Sequence, residues 1–209
     1  MADRFTGYNV LAGRETLSWN VKTREVIDER LSLQVPDGVL TATQFATLQK
    51  LVHRVCPDPE GRLATTTLAM IVHRIADNDR DGYRHHALPG TAECWRRGLD
   101  ALEAEARLRH GVAFAALTRE NAEILLRLVS QGDVSAGEWV QVPPRLFWRW
   151  RLIPDCVSAH WAQPSLWSAM GFGGPAAPRG YVRTGIDRRD PWEAIEAGEP
   201  LTGLPRHRG

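Results

Sequence analysis

Apolar residues in the middle of the chain recur every three to four positions, and no stretch alternates strictly between apolar and polar. Thr41 followed by Gln44 is a capping box, after which Phe45, Leu48, Leu51, Val52 and Val55 keep helical spacing up to Pro57. A second helix is predicted from about Ala64 to Asp77, with Leu68, Ile71, Val72 and Ile75 on one face. A third runs from Thr91 to about His110 on Trp95, Leu99, Leu102 and Leu108. Thr118 caps a fourth, with Ile124, Leu125 and Leu128 inward and Gly132 as its stop. Pro143 and Pro144 open a fifth that carries Phe147, Trp148, Trp150, Leu152, Val157 and Trp161, bent at Pro154, and a short turn follows Pro164. The pattern predicts an all-α protein: a compact centre of about five helices over residues 41–170.

The flanks read differently. Residues 1–40 show no sustained period, apart from a possible short helix at Thr23 to Leu31. Such a segment cannot bury much of itself alone, so it is expected to be an arm whose aromatic anchors need another surface. From residue 171 glycine and proline are dense enough to exclude a helix until about Trp192. This second arm, 171–209, carries Arg179, Arg183, Arg188, Arg189, Arg206 and Arg208 beside Phe172, Tyr181 and Trp192. Large aromatics suit an arm that docks on something, either a partner or the chain's own helices.

Composition narrows the function. Of 209 residues 24 are Arg and 2 are Lys, against 25 acids, for a formal charge of +1. A phosphate-binding surface normally needs a basic excess, so a nucleic-acid role is not expected. The arginine excess fits either codon bias or a surface built for forked ion pairs. Cys56, Cys94 and Cys156 are odd in number and far apart, which suits buried reduced thiols better than a disulfide framework. No run of 18 apolar residues is present, and the first residues hold neither a twin-arginine pair nor an apolar export segment. The expected location is the cytoplasm, or the periplasm if a partner's signal carries the chain out.

Candidate chemistry is sparse. Gly171-Phe-Gly173-Gly174-Pro-Ala176 satisfies the glycine fingerprint of dinucleotide-binding folds, but the preceding Leu166 to Met170 looks helical where a strand is required, and Pro175 and Pro178 bar the helix that should follow. Asp77 to Gly82 copies the first half of a calcium loop, yet Leu88 stands where its bidentate Glu belongs, which favours a helix-ending turn. No histidine pair or cysteine cluster has metal-ligand spacing, and Glu103 and Glu105 are expected to be solvated on different helix faces. No cofactor or catalytic residue is assigned to this chain. The densest signal is Arg145 to Arg151 with its tryptophans. Trp148 and Trp150 point about 200° apart on a helix, so one of them needs a surface other than the core. Trp and Arg together are what interface centres favour.

Several blocks carry a resemblance: Phe5-Thr-Gly-Tyr-Asn-Val-Leu11; Thr43-Gln-Phe-Ala-Thr-Leu48 with Cys56-Pro-Asp-Pro59; Asp81-Gly-Tyr-Arg84; Trp95 to Asp100; Glu105 to Gly111; Gly171 to Val182; and Asp187-Arg-Arg-Asp-Pro-Trp-Glu193. On these the chain resembles the gluconate 2-dehydrogenase subunit 3 family. The resemblance implies a non-catalytic small subunit that supports folding and stability of a large FAD-dependent dehydrogenase of the glucose–methanol–choline type, acting on sugars or sugar acids. FAD is then expected in the partner, with no membrane insertion by this chain. Many members carry a twin-arginine signal, and the first residues here depart from that. The expected partner-facing residues are Phe5, Tyr8, Trp19, Trp148, Trp150, Phe172, Arg179, Tyr181, Arg183, Arg188, Arg189 and Trp192. The competing readings are a free-standing helical binding protein with a ligand pocket under its C-terminal loop, and an unrecognised hydrolase or isomerase.

Overall fold

The computed structural model describes residues 4–62, 64, 66–78, 84–175 and 194. Among these are eight α-helices and no strand: α1 (Val21–Ser32), α2 (Ala42–Val55), α3 (Thr67–Ala76), α4 (Thr91–His110), α5 (Arg119–Gln131), α6 (Pro144–Phe147), α7 (Ile153–Trp161) and α8 (Pro164–Trp167). The all-α reading holds. No helix among the described residues is long and apolar enough to cross a membrane. The chain falls into two compact units, one within 34–57 and 67–160, the other within 1–33, 58–66 and 161–209. Each is built by its own logic.

In the larger unit α4 is the axis. It packs against α2, α3, α6 and two 3-10 turns at Phe114–Ala116 and Gly137–Gln141. Cys94, Trp95, Leu99, Ala101, Leu102 and Ala106 are all fully buried along it. A fully buried side chain of the size of Leu or Phe contributes about 1.5–3 kcal/mol, so this one helix organises much of the core. The caps form where the sequence places them. Gln44 N–H donates to Thr41 Oγ1 at 3.2 Å and Thr41 N–H to Gln44 Oε1 at 3.1 Å, which closes the capping box of α2. Thr118 Oγ1 accepts from Asn121 N–H at 3.2 Å at the start of α5. Gly132 ends that helix at φ +81°.

Three expectations are corrected in detail. The second helix begins at Thr67 and not at Ala64, because the backbone donors ahead of it are spent elsewhere: Ala64 N–H on Asp58 Oδ1 at 3.1 Å and Thr66 N–H on Gln163 Oε1 at 2.8 Å. Leu108 and Ile124 face solvent, at 61% and 44% exposure. Leu108 lies two residues past buried Ala106 and Ile124 two past buried Ala122, about 200° round the helix, so period decides the face and apolar character does not. The bent fifth helix resolves into α6, a π turn at Trp148–Leu152, and α7. Pro154 has no N–H to give, and its ring would crowd the carbonyl of Trp150; widening the turn, with Ile153 N–H reaching back to Trp148 O, relieves both.

The smaller unit joins three separated segments. Its core is Val10, Trp19, Ile27 and Trp167, with Tyr8, Leu11 and Leu31 packed on it. Polar stitches hold the segments in place: Val10 N–H to Ser168 Oγ at 3.0 Å, Arg62 Nη2 to Tyr8 O at 3.1 Å, and both Thr66 N–H and its hydroxyl to Gln163 Oε1. Arg14 closes a fork on Asp28 of α1, one arm at 2.7 Å. The first forty residues were expected to need a foreign surface; those up to Leu33 find one within the chain, from residue 161 onward. Of the second arm, 171–175 and Ala194 are described, and the remainder lies outside the described residues.

Gly98 lets α4 lie close against the ring of Phe147 on α6. A Cβ at that position would lie 2.4 Å from the ring of Phe147, which is itself edge-on to Trp95 at 5.7 Å. Alanine would gain about 1 kcal/mol of helix propensity. The overlap with a fully buried ring puts the packing cost near the top of the usual range of about 1–3 kcal/mol. Gly98→Ala is therefore expected to lower the midpoint of thermal unfolding by several degrees, measurable by circular dichroism.

Candidate partner interface

Asp155, at 2% exposure, is gripped from three sides. Trp95 Nε1 donates to its Oδ2 at 2.7 Å, Arg74 Nη1 to Oδ1 at 2.8 Å, and Arg151 Nη1 approaches Oδ2 at 3.4 Å. Sequence reasoning missed this carboxylate; the signal was the Arg151–Asp155 spacing of four on one helix. Every contact to it is a donor supplied by the chain, so it serves as a tie between α3, α4, the π turn and α7.

Glu103 and Glu105 are buried, at 9% and 0% exposure, not solvated. The helix turns both toward loops with unsatisfied backbone donors. Glu103 Oε2 accepts from Phe114 N–H at 2.9 Å, and Arg107 pairs with Oε1 at 2.7 Å. Glu105 accepts from Ala136 N–H at 2.7 Å, from Ser135 N–H at 2.9 Å and from Arg109 Nε at 2.5 Å. Burial pushes the Glu105 carboxyl up, but the two backbone donors and the guanidinium outweigh it and hold the group below its ordinary range. Glu103 pins the segment that leaves α4, and Glu105 the one that leaves α5. The three cysteines are free and buried. Desolvation raises Cys56 and Cys94 to about 11 and Cys156 well above its usual value, so all three are protonated thiols at neutral pH and weak nucleophiles. No group of three or more His, Cys, Asp or Glu among the described residues could hold a metal ion.

The glycine fingerprint has a packing explanation. What precedes it is α8 and a 3-10 turn at Ser168–Met170, not a strand. Gly174 sits at φ +74°, and a Cβ there would lie 2.8 Å from Val10 Cγ2 and 3.1 Å from Trp19 Cζ2. The glycine lets the backbone close over the core of the smaller unit. At the calcium-like turn, Asn78 takes φ +48° and its Oδ1 accepts from Ala92 N–H at 3.1 Å, capping α4; residues 79–83 lie outside the described residues.

The expected partner-facing residues divide accordingly. In the smaller unit Trp19 is 2% exposed, so its ring is spent on Val10, Ile27 and Trp167 and presents nothing outward. Phe5 and Tyr8 are half-buried, and Phe172 is exposed while standing edge-on to Trp167 at 5.3 Å. In the larger unit Trp148 packs partly on the core, whereas Trp150 faces outward at 37% exposure. This is the division that their opposed directions require. His85 lies against the Trp150 ring at 5.9 Å and the Arg149 guanidinium over it at 5.7 Å. Pro154 and Val157, four and seven residues on from Trp150, are exposed too. Arg179, Tyr181, Arg183, Arg188, Arg189 and Trp192 lie outside the described residues.

With the helices and the buried carboxylates in place, comparison with known families is decisive. The model of the family described as gluconate 2-dehydrogenase subunit 3 matches residues 42–174, well over half of the chain. The chain belongs to that family. The match takes in the helical centre and the glycine run up to Gly174; the blocks at Phe5 to Leu11 and Asp187 to Glu193 fall outside it. No curated protein and no solved structure matches.

Two outcomes follow from the interior. A carboxylate whose folded pKa is depressed stabilises the fold above its unfolded pKa and loses that contribution as pH falls through the folded one. Stability should therefore decline as pH drops from the ordinary glutamate range, about 4.3, downward. Glu105→Gln should be less stable at pH 7 and show a flatter acid limb in thermal melts taken from pH 5.5 to pH 3. Thiol labelling with a chromogenic disulfide at pH 7.5 should be slow on the native protein and should reach all three cysteines once it is denatured.

Proposed function

We propose that the chain is the non-catalytic small subunit of a dehydrogenase complex that oxidises a sugar, sugar acid or glycoside, and that it supports the folding and stability of a large FAD-containing catalytic subunit. The observation that carries this reading is the match over residues 42–174 to a family of dehydrogenase subunits. The interior supports it. Asp155, Glu103 and Glu105 are consumed in holding helices and loops together, and the thiols are protonated. In this reading the partner oxidises a CH–OH group of the substrate to a carbonyl, and its FAD would take up the two electrons together with the carbon-bound and the hydroxyl hydrogen. The small subunit contributes no reacting group; it covers surface of the partner. A heteromer in which this chain acts through contact suits outward-facing aromatics such as Trp150 and Phe172 better than an internal pocket does.

Co-expression with a candidate FAD-containing dehydrogenase subunit from the same source checks this. The expected result is a yellow complex that co-elutes on size exclusion and oxidises sugar substrates with an artificial electron acceptor. The flavoprotein expressed alone should be recovered in several-fold lower soluble yield, and the small chain alone should show no activity. Separate elution of the two, with full yield and activity of the flavoprotein alone, would overturn the proposal.

A further inference from the structure

The π turn and α7 carry an apolar stripe inside a basic frame. Trp150, Pro154 and Val157 lie four and three residues apart, so all three fall on one helical face, and all are exposed. Along the two segments that carry the stripe and His85 the exposed charged groups have one sign. Between residues 84 and 90 and between 143 and 158 the sequence holds one acid, Asp155, which is buried beneath Arg74 and Arg151. Arg84, Arg145 and Arg149 are exposed, and His85 joins the first segment to the Trp150 ring. Arg74 reaches Ser158 Oγ at 3.3 Å, next to Val157, and so flanks the far end. A chain whose acids and bases nearly balance overall, 25 against 26, thus concentrates bases here.

The π turn separates the roles of neighbouring residues. Trp148 goes to the core and Arg151 to Asp155, while Arg149 and Trp150 are aimed outward. The turn ends at Leu152, two residues before Pro154, and holds Trp150 within it.

We infer that this Trp150–Pro154–Val157 face is a docking surface for the catalytic subunit. The matching patch on the partner would be an apolar pocket for the indole ringed by carboxylates. The inference rests on the subunit reading given above. Trp and Arg are the side chains that most often dominate interface energetics, and a desolvated indole flanked by guanidiniums meets an acidic rim well. Three apolar side chains make only the centre of an interface of ordinary size, about 800 Å² per partner, and the arginines supply its periphery.

The test measures the dissociation constant between purified full-length small chain and flavoprotein by biolayer interferometry at two salt concentrations. Binding of the wild type should weaken between 50 mM and 500 mM NaCl. Trp150→Ala should weaken it at least about 10-fold. Arg149→Glu should weaken it comparably and flatten the salt dependence. Val140→Ser, at a position 88% exposed on a different segment of the same unit, should leave it unchanged. Should Trp150→Ala unfold, as judged by its melt, Val157→Asp at a solvent-facing site gives the same readout, because an added acid opposes an acidic rim. Binding of Arg149→Glu and of the aromatic or aliphatic variant within twofold of wild type would overturn the docking surface and leave the subunit reading standing. If the wild-type chain does not bind the flavoprotein at all, both fall.

Discussion

The larger unit depends on one buried charge. An ionised carboxylate withdrawn from water costs several kcal/mol unless cations and donors replace the lost hydration. Asp155 obtains that replacement from three different elements: an indole from α4, a guanidinium from α3 and another from the π turn. The requirement is geometric as well as energetic. If any one of those elements shifts, the carboxylate or an arginine is left uncompensated in the interior, so the pair-and-donor set fixes the register of four segments that apolar packing alone would hold less specifically. Glu105 acts similarly at the other end of α4, where it collects the backbone donors of 135 and 136. The helix is thus tied at one end by a carboxylate it receives and at the other by one it provides.

Titratable groups in a cleft, with solvent access and shifted toward their working range, are what a catalytic site displays. Here the buried thiols are shifted upward and the carboxylate of Glu105 downward, so that the thiols are neutral and the carboxylate charged at neutral pH. The glycine run, which in another setting would approach a pyrophosphate, approaches Val10 and Trp19 instead. Its conformational freedom serves closure of the chain over its own core.

How much of this was readable beforehand follows from the range of each signal. Helices were legible because their cause is local: the capping pair Thr41 and Gln44, the stop at Gly132, and the recurrence of apolar residues all act within a few positions. The direction of Trp150 was legible for the same reason, being fixed by residues per turn. Errors of face at Leu108 and Ile124 came from weighting aliphatic character over period. The start of α3 was misplaced because it is set by Asp58 and Gln163, neither of which is a helix signal. The burial of Glu103 and Glu105 was hidden because their partners are backbone N–H groups, which every sequence contains. The N-terminal segment was misjudged at the longest range of all: nothing near Trp19 announces that Trp167 will cover it.

That last pairing sets an order of events on the ribosome. Domains usually fold as their own stretch of chain emerges, N-terminal parts first. The core of the smaller unit cannot follow that rule, since Trp167 is made 148 residues after Trp19. At about 5–20 residues per second, Val10, Trp19 and Ile27 wait roughly 7–30 s with their apolar faces in water while all of 34–160 is synthesised. A segment made 148 residues earlier is housed only when Trp167 arrives, and its aromatic residues spend that interval accessible to chaperones.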